Sequence, residues 1–299
     1  MTERDKRFRG DECARTERIF NRILLYAFLI IVALYFIIPF FVMFVTSIKS
    51  MDEIRTSHLL ALPKKITFEA WVKAWSTANI GAGSSGMQRY FLNSIVMVIF
   101  SVAISTIIGA INGYILSKWR FKGSEVFFSL LMLGCFIPFQ IILLPMSRTL
   151  GILGMGQSIQ GLIFVHVVYG IPFTTLFFRN FYAAFPDELI EAAKVDGAGF
   201  FKIWWEIVLP LSGPIFAVTV IWQFTQIWND FLFGVCFSGS ESQPVTVALN
   251  NLVNTSTGVK EYNVDMAAAL IAGLPTLVVY FLSGKYFVKG LTAGALAGT

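Results

Sequence analysis

The side chains able to do chemistry in this sequence are few, and most lie in apolar surroundings. His58 and His166 are the only histidines, and Cys13, Cys135 and Cys236 the only cysteines, all far apart. No set has metal-ligand spacing, and no disulfide framework emerges. The sequence therefore predicts no catalytic cluster, no metal site and no cofactor site. His166 falls inside an apolar run, where an ionisable group is a functional candidate by default. Its simpler assignment is a neutral imidazole bonded to a neighbouring helix. A second group consists of amides, one carboxylate and indoles: Gln223, Gln226, Trp228, Asn229 and Asp230, with Trp222 beside them. Upstream stand Asn93, Ser94, Ser101, Ser105 and Asn112, the last four near one helical face at spacings of seven, four and seven. Such groups suit a solute that carries both polar groups and apolar faces. They serve equally as hydrogen-bonding glue between helices. Asn93, Gln223, Gln226, Trp228, Asn229 and Asp230 are thus the candidate lining of a solute pathway.

The elements that position these residues follow from composition. Of 299 residues, 56% are hydrophobic and only 14% charged, where soluble domains carry roughly 25% charged residues. The excess points to lipid as solvent. Six apolar segments emerge, at about 23–48, 91–116, 126–146, 159–178, 207–231 and 265–287, each near the roughly 20 residues that cross a bilayer. Helices are required, because open strands would leave backbone groups unpaired in lipid. The expected fold class is an all-α integral membrane protein with six transmembrane helices. Pro39, Pro138, Pro145, Pro172, Pro210, Pro214 and Pro275 fall in or beside these segments, which marks kinks as frequent. In the 49–90 loop, Trp71 and Trp75 stand one turn apart and predict a short amphipathic helix, an interfacial anchor or a docking surface.

Net charge is +5, but the basic residues sit at segment ends rather than in a nucleic-acid patch. Residues 1–22 hold seven basic and five acidic side chains. The apolar run after them is too long for a signal peptide, so the tail reads as cytoplasmic and the first segment as a retained span. With the N-terminus inside, 15 of the 23 Lys and Arg lie on the cytoplasmic side, which predicts both termini there.

Between the fourth and fifth segments, residues 179–206 form a polar insert. Pro186-Asp187-Glu188 opens a helix, with acidic groups complementing its dipole. Leu189, Ile190, Ala192, Ala193 and Val195 are read as its apolar side, and Gly197 and Gly199 end it. A second short helix is expected over Phe200–Glu206. Two short helices with a glycine corner make a rigid element suited to a cleft in another protein.

Glu191-Ala192-Ala193, Gly197 six residues after the Glu, and Ile207-Val208-Leu209-Pro210 resemble the EAA loop of ABC importer permeases. Asp196-Gly197-Ala198, Asn93-Ser94, Trp228-Asn229-Asp230-Phe231 and the run Phe287-Val288-Lys289-Gly290-Leu291-Thr292-Ala293-Gly294-Ala295 agree with it. Together these motifs, spanning roughly 23–295, resemble the maltose-type carbohydrate permeases in their smaller, six-span branch. The late Lys usual at the end of such chains is absent from Leu296-Ala297-Gly298-Thr299, which bears only on a tail contact.

The resemblance implies a type I ABC importer permease fold in a bacterial plasma (inner) membrane, with residues 23–299 as the permease domain. It implies that Glu191, Ala192, Ala193, Asp196 and Gly197 couple the chain to an ATPase. The expected partners are a second homologous permease subunit, two ATP-binding subunits holding ATP and Mg, an extracytoplasmic sugar-binding protein, the sugar itself and membrane lipid, with no nucleic acid. The chain has no G-x-x-x-x-G-K-[ST] phosphate loop, so ATP is expected in the partner. The segments Trp228–Phe237 and Pro244–Asn251 look most like permeases for glucose-type monosaccharides. An ion-driven secondary transporter is the alternative, but it would show an internal repeat and paired broken helices carrying charge. A membrane-embedded enzyme would need clustered Asp, Glu, His or Cys within the spans. Neither pattern is visible in the sequence.

Overall fold

A computed structural model describes residues 3–81, 86–254 and 260–296, with side-chain surroundings within 19–283. Thr299 and its two neighbours, and the side chains of the basic tail before Ile19 and of the Phe287–Ala295 run, lie outside that description. In chain order the helices are α1 (Glu3–Ser47), α2 (Met51–Thr56), α3 (Glu69–Ser76), α4 (Gln88–Lys118), α5 (Ser124–Phe136), α6 (Phe139–Ile152), α7 (Ile159–Ala183), α8 (Asp187–Val195), α9 (Phe200–Ile203), α10 (Leu209–Leu211), α11 (Gly213–Trp228), α12 (Leu232–Phe237), α13 (Val245–Asn254) and α14 (Tyr262–Leu296). A π-helical turn, Trp204–Val208, joins α9 to α10. Among the described residues there is no sheet, only an isolated bridge between Gln157 and Ser238. The chain is all-α.

Four straight stretches are long and apolar enough to cross a membrane: Ile19–Ser47, Gln88–Lys118, Ile159–Ala183 and Tyr262–Ser283. Two bent pairs bring the number to six if each counts as one span: α5 with α6, bent by 103°, and Phe200–Leu211 with α11, bent by 77°. The third and fifth apolar segments, where prolines marked kinks, are therefore sharply bent rather than merely kinked. Ile137 is extended (φ −69°, ψ 118°) because the following Pro138 excludes it from helical geometry and supplies no N–H. Pro210 and Pro214 flank the second bend at Ser212. Hydropathy records apolarity along the chain and is blind to such corners.

The described chain falls into two compact units. In the first, residues 1–71 with 261–267, the apolar stretch Ile19–Ser47 of α1 holds an 18-residue window of mean hydropathy 2.9, of which only 6% is buried within the chain. Its outward apolar side chains need lipid or another subunit. The Trp71 indole N–H donates to Ser47 Oγ (3.1 Å), and Asn263 Nδ2 donates to the carbonyl of Lys49 (3.0 Å). The Trp71 end of the predicted amphipathic helix is thus tied to the end of α1.

In the second unit, residues 72–260 with 268–299, the core is the contact between α4 and α7. Ser101, Ser105, Gly109, Gly113 and Ser117 recur every four residues along α4 and are all buried. Such a stripe lets two backbones approach closely. A methyl group at Gly109 would overlap Thr174 of α7, and one at Gly113 would lie 2.6 Å from Phe178 Cβ and 2.7 Å from the Arg179 nitrogen. Thr174 Oγ1 donates to the Ser105 carbonyl across this contact (2.9 Å), and Asn112 Nδ2 donates to Thr175 Oγ1 (3.3 Å). Gln223 of α11 joins them, its Nε2 donating to Ser105 Oγ (2.9 Å).

Overpacking at such a contact costs about 1–3 kcal/mol. Gly113→Ala is expected to lower the melting temperature of the detergent-solubilised protein by several degrees. Gly151→Ala, where a new Cβ would meet nothing within 4 Å, is expected to leave it unchanged. Equal melting of the two variants would contradict the close-contact account.

Candidate functional site

The insert between α7 and α11 is braced by the ends of α4 and α7. Ile190 of α8, Ile203 of α9 and Val208 are buried with Ala110 and Tyr114 of α4 and Phe178 and Tyr182 of α7 in one apolar cluster. Ala193 and Ala198 pack against it. Of the residues expected on the apolar side of α8, only Ile190 is fully buried and Ala193 half-buried, whereas Leu189, Ala192 and Val195 face outward. At about 100° per residue, positions 189, 192 and 195 form their own stripe, separate from 190 and 193. Among the described residues that stripe is an exposed apolar surface.

The corner is a Schellman turn. Gly197 has φ +78°, its N–H donates to the Lys194 carbonyl (3.0 Å), and the Ala198 N–H donates to the Ala193 carbonyl (2.9 Å). This left-handed position is open to glycine at no steric cost. Glu191, Ala192, Asp196 and Gly197 are exposed around the corner, and Ala193 is turned towards the bundle. Phe201 of α9 is also exposed, a residue the sequence pattern did not single out.

Three charges hold the insert in place. Lys118 at the end of α4 donates to the Phe185 carbonyl (2.6 Å) and to Asp187 Oδ1 (2.5 Å). Lys194 lies 4.5 Å above the Trp119 ring, and the Trp119 indole donates to the Tyr114 hydroxyl. Arg179 Nη2 donates to both carboxylate oxygens of Glu125 of α5, at 2.9 and 3.0 Å, and the guanidinium sits over the Phe128 ring.

A second feature is a cavity of about 450 Å³ between the middle of α7 and the end of α11. His166, Tyr169, Gly170 and Phe173 face it at spacings of three, four and seven from α7. Trp222, Gln223 and Gln226 of α11, followed by Asn229 and Asp230, supply the facing wall. Four of the six pathway candidates, Gln223, Gln226, Asn229 and Asp230, therefore line one space. Gln223 is committed to Ser105, whereas Gln226 is exposed. Asp230 caps α12, accepting the N–H groups of Phe233 (3.2 Å) and Gly234 (3.0 Å). Trp228 points elsewhere: it is buried and donates to the Ala272 carbonyl (2.9 Å). Asn93 is also elsewhere, tying the carbonyls of Glu241 (2.8 Å) and Gln243 (3.0 Å) to α4.

The aromatic part of this lining was not singled out in sequence beyond Trp222. Phe173 lies 4.9 Å from Trp222, and Tyr169 and His166 each lie 5.5 Å from Phe233. The spacing His166, Tyr169, Phe173 on one helix was the available signal. The simple assignment of His166 to a bond with another helix is not what the structure has. Its Nε2 is buried without a hydrogen bond, and the nearest carboxylate oxygen, Asp230 Oδ2, is 3.6 Å away, beyond hydrogen-bond length. Among the described residues no group of His, Cys, Asp and Glu is placed to hold a metal ion.

The Lys118 contact makes the insert sensitive to pH. Lys118, by hydrogen bond and charge, holds the Asp187 carboxyl below its ordinary pKa. A group depressed on folding contributes above its unfolded value and loses that contribution as pH falls through the folded one. Amide exchange over residues 186–197 is expected to stay slow from neutral pH to below the ordinary carboxylate range of about 3.9, then to quicken. Lys118→Met is expected to quicken it already at neutral pH. Equal exchange in variant and native protein would remove Lys118 from this role.

Residues 105–292 match the family described as binding-protein-dependent transport system inner membrane component. A xylose/arabinose import permease protein of Haloferax volcanii is 30% identical over 296 residues, 92% of this chain and 93% of that one. A glucose import system permease protein of Saccharolobus solfataricus is 33% identical over 275 residues, 90% and 92%. In fold, the chain is similar to a bacterial ABC transporter that imports the acidic polysaccharide alginate, with a TM-score of 0.77 at 24% identity, covering 91% of this chain and 98% of that one. The fold is that of a type I importer permease. The chain is a multi-pass membrane subunit and not itself an enzyme; it belongs to the inner-membrane permease components of binding-protein-dependent ABC transport systems.

Proposed function

We propose that this permease imports a sugar, a glucose-type monosaccharide, across a bacterial inner membrane. In this reading the 179–206 insert is seated in a cytoplasmic ATP-binding subunit, and both termini lie on that side. The observation that carries the coupling role is the Gly197 corner: an exposed turn, rigidly closed and braced on two long helices, with an apolar stripe beside it. Carbohydrate as substrate is supported by two relatives named for pentoses and glucose, and by a cavity that combines amides and a carboxylate with aromatic faces. The assembly proposed has a second homologous permease, two ATP-binding subunits with ATP and Mg, and an extracytoplasmic binding protein. Outward α1 side chains fit lipid and a neighbouring subunit. ATP acts by favouring one of two conformations, which it does only through differential affinity for them.

The test is to purify the assembly with its binding protein and to measure ATP hydrolysis as sugars are added. A monosaccharide is expected to stimulate hydrolysis several-fold, and uptake into proteoliposomes to be blocked by vanadate and untouched by ionophores. Stimulation by no sugar would overturn the substrate class. Ionophore-sensitive, vanadate-resistant uptake would overturn ATP coupling.

The corner itself is also tested by substitution. A Cβ at Gly197 meets nothing within 4 Å in this chain, so inside the subunit the cost is left-handed strain of about 1–2 kcal/mol. Any larger effect must arise at the partner surface. Gly197→Asp is expected to leave the spans inserted and to lower the subunit's melting by no more than the left-handed strain requires, while uncoupling hydrolysis from uptake or releasing the ATP-binding subunit. Gly197→Asn, which tolerates the left-handed region, is expected to be milder. Normal uptake and normal stimulation in Gly197→Asp would exclude the corner as the docking point.

A further inference from the structure

We infer that the segment after α1 makes a second membrane contact: Ile66 and Phe68 enter the lipid interface beside the end of α1, and Lys64 and Lys65 meet anionic headgroups there. The contact is independent of which solute is carried. Its height is set by hydrogen bonds to the end of a span. Outward apolar side chains continue along α1 as far as Phe44, after which Val45, Thr46, Ser47, Ile48 and Lys49 are all buried. The Thr67 N–H donates to the Ile48 carbonyl (3.0 Å), and the Trp71 indole donates to Ser47 Oγ (3.1 Å). Between these two ties the Trp71 N–H turns back to the Phe68 carbonyl (3.1 Å). Asn263, in the first turn of α14, is bonded to the carbonyl of Lys49. The start of another apolar stretch, Tyr262–Ser283, therefore marks the same height. Ile66 and Phe68 flank Thr67 and are each 61% exposed. Consecutive Cα atoms are about 3.8 Å apart, so both stand within one residue of the height at which the spans end.

Exposed apolar side chains beyond a span suit either lipid or a soluble protein. A soluble protein meets groups held clear of the surface, whereas Ile66 and Phe68 are tied down where acyl chains give way to headgroups. Charge points the same way. Lys64 and Lys65 are exposed, and neither forms an ion pair among the described residues. The Glu53 carboxylate accepts the Lys64 N–H (2.6 Å), which fixes the backbone of the lysine pair to α2. A lysine in such a place lays its methylene stem along the apolar layer and puts its ammonium among phosphates. Basic side chains beside a span end act as interfacial anchors, and they favour anionic lipid. Leu59, Leu60 and Leu62 are exposed as well. Among the described residues no bond ties those three to the span end, and they are left out of the contact.

The test places the photo-reactive residue p-benzoylphenylalanine in turn at Ile66, Phe68, Tyr35 and Asp52 of the full-length chain. Each chain is reconstituted, with the subunits that purify with it, into vesicles of phosphatidylglycerol or of phosphatidylcholine, and adducts are identified by mass. Tyr35, outward on α1, is the lipid control, and Asp52, exposed in the first turn of α2, is the control on the water side. At positions 66 and 68 lipid adducts are expected in phosphatidylglycerol at about five-fold or more above position 52. Adding the soluble binding protein is expected to leave them unchanged. Phe68 is exposed and its replacement is also aromatic, so this chain is expected to melt with the native one. Lys64→Gln combined with Lys65→Gln is expected to lower the yield at position 68 several-fold in phosphatidylglycerol and to leave it unaltered in phosphatidylcholine. Absence of lipid adducts at both 66 and 68 while position 35 is labelled would overturn the contact. So would adducts to another protein at both positions, or yields no higher than at position 52. Equal yields with and without the two lysines in phosphatidylglycerol would overturn their part in it.

Discussion

The rest of the second unit depends on how closely α4 and α7 approach. Their contact runs over Ser105, Gly109 and Gly113 on one side and Thr174 and Phe178 on the other, with no space for an added methyl. In lipid there is no hydrophobic gain from pressing two apolar helices together, so association relies on backbone proximity, dispersion and interhelical hydrogen bonds. The Thr174 to Ser105 bond and the Gln223 to Ser105 bond meet at one residue. Three helices are thereby fixed at the level of the cavity. The serines and amides that suggested a solute pathway are here divided between two jobs. Ser105, Gln223 and Asn112 hold helices together, Asn229 and Asp230 bond the chain around the end of α11, and Gln226 is exposed on the cavity wall.

The insert draws its rigidity from the same pair of helices. Tyr114 and Tyr182, at the far ends of α4 and α7, are fully buried in the cluster that receives Ile190 and Ile203. A Schellman corner leaves no soft joint between α8 and α9. Lys118 and Lys194 then fix α8 against rotation about its own axis. An element braced at both its start and its corner transmits displacement as a body, where a flexible loop would absorb it.

Much of this was legible in residue order. Four apolar runs became straight spans with ends within a few residues of expectation, because a lipid-crossing helix needs only length and apolarity. The glycine corner was legible too, since Gly197 after Lys194 and Val195 is a helix-stop pattern with a known geometry. The breaks at Pro138 and Ser212 were not, because prolines in spans are tolerated as kinks as often as they end helices. Leu189, Ala192 and Val195 were read with Ile190 and Ala193 as one apolar side, and apolarity alone does not say which of its two adjacent stripes finds the core. The His166 and Asp230 pairing was out of reach. The two residues are 64 positions apart, and only the bend before α11 together with the loop after it carries Asp230 to α7.

That bend also decides how motion at one end of the unit reaches the other. His166 and Tyr182 are sixteen residues apart on α7, about 24 Å at 1.5 Å per residue, so one helix carries both a cavity wall and a wall of the insert's seat. The opposing wall belongs to α11, which the chain joins to the insert through the π-helical turn and the 77° corner at Ser212, and whose first turn, at Ile215 and Phe216, packs against the insert's cluster. A tilt of α7 imposed at its insert end therefore moves His166 directly. The same displacement arrives at α11 through that packing and through a joint that already lacks regular α-helical hydrogen bonding. The two walls need not move together. A cavity bounded by one directly driven helix and one helix driven through a corner changes width when the insert moves, and a cavity bounded by two equally driven helices would only be carried along.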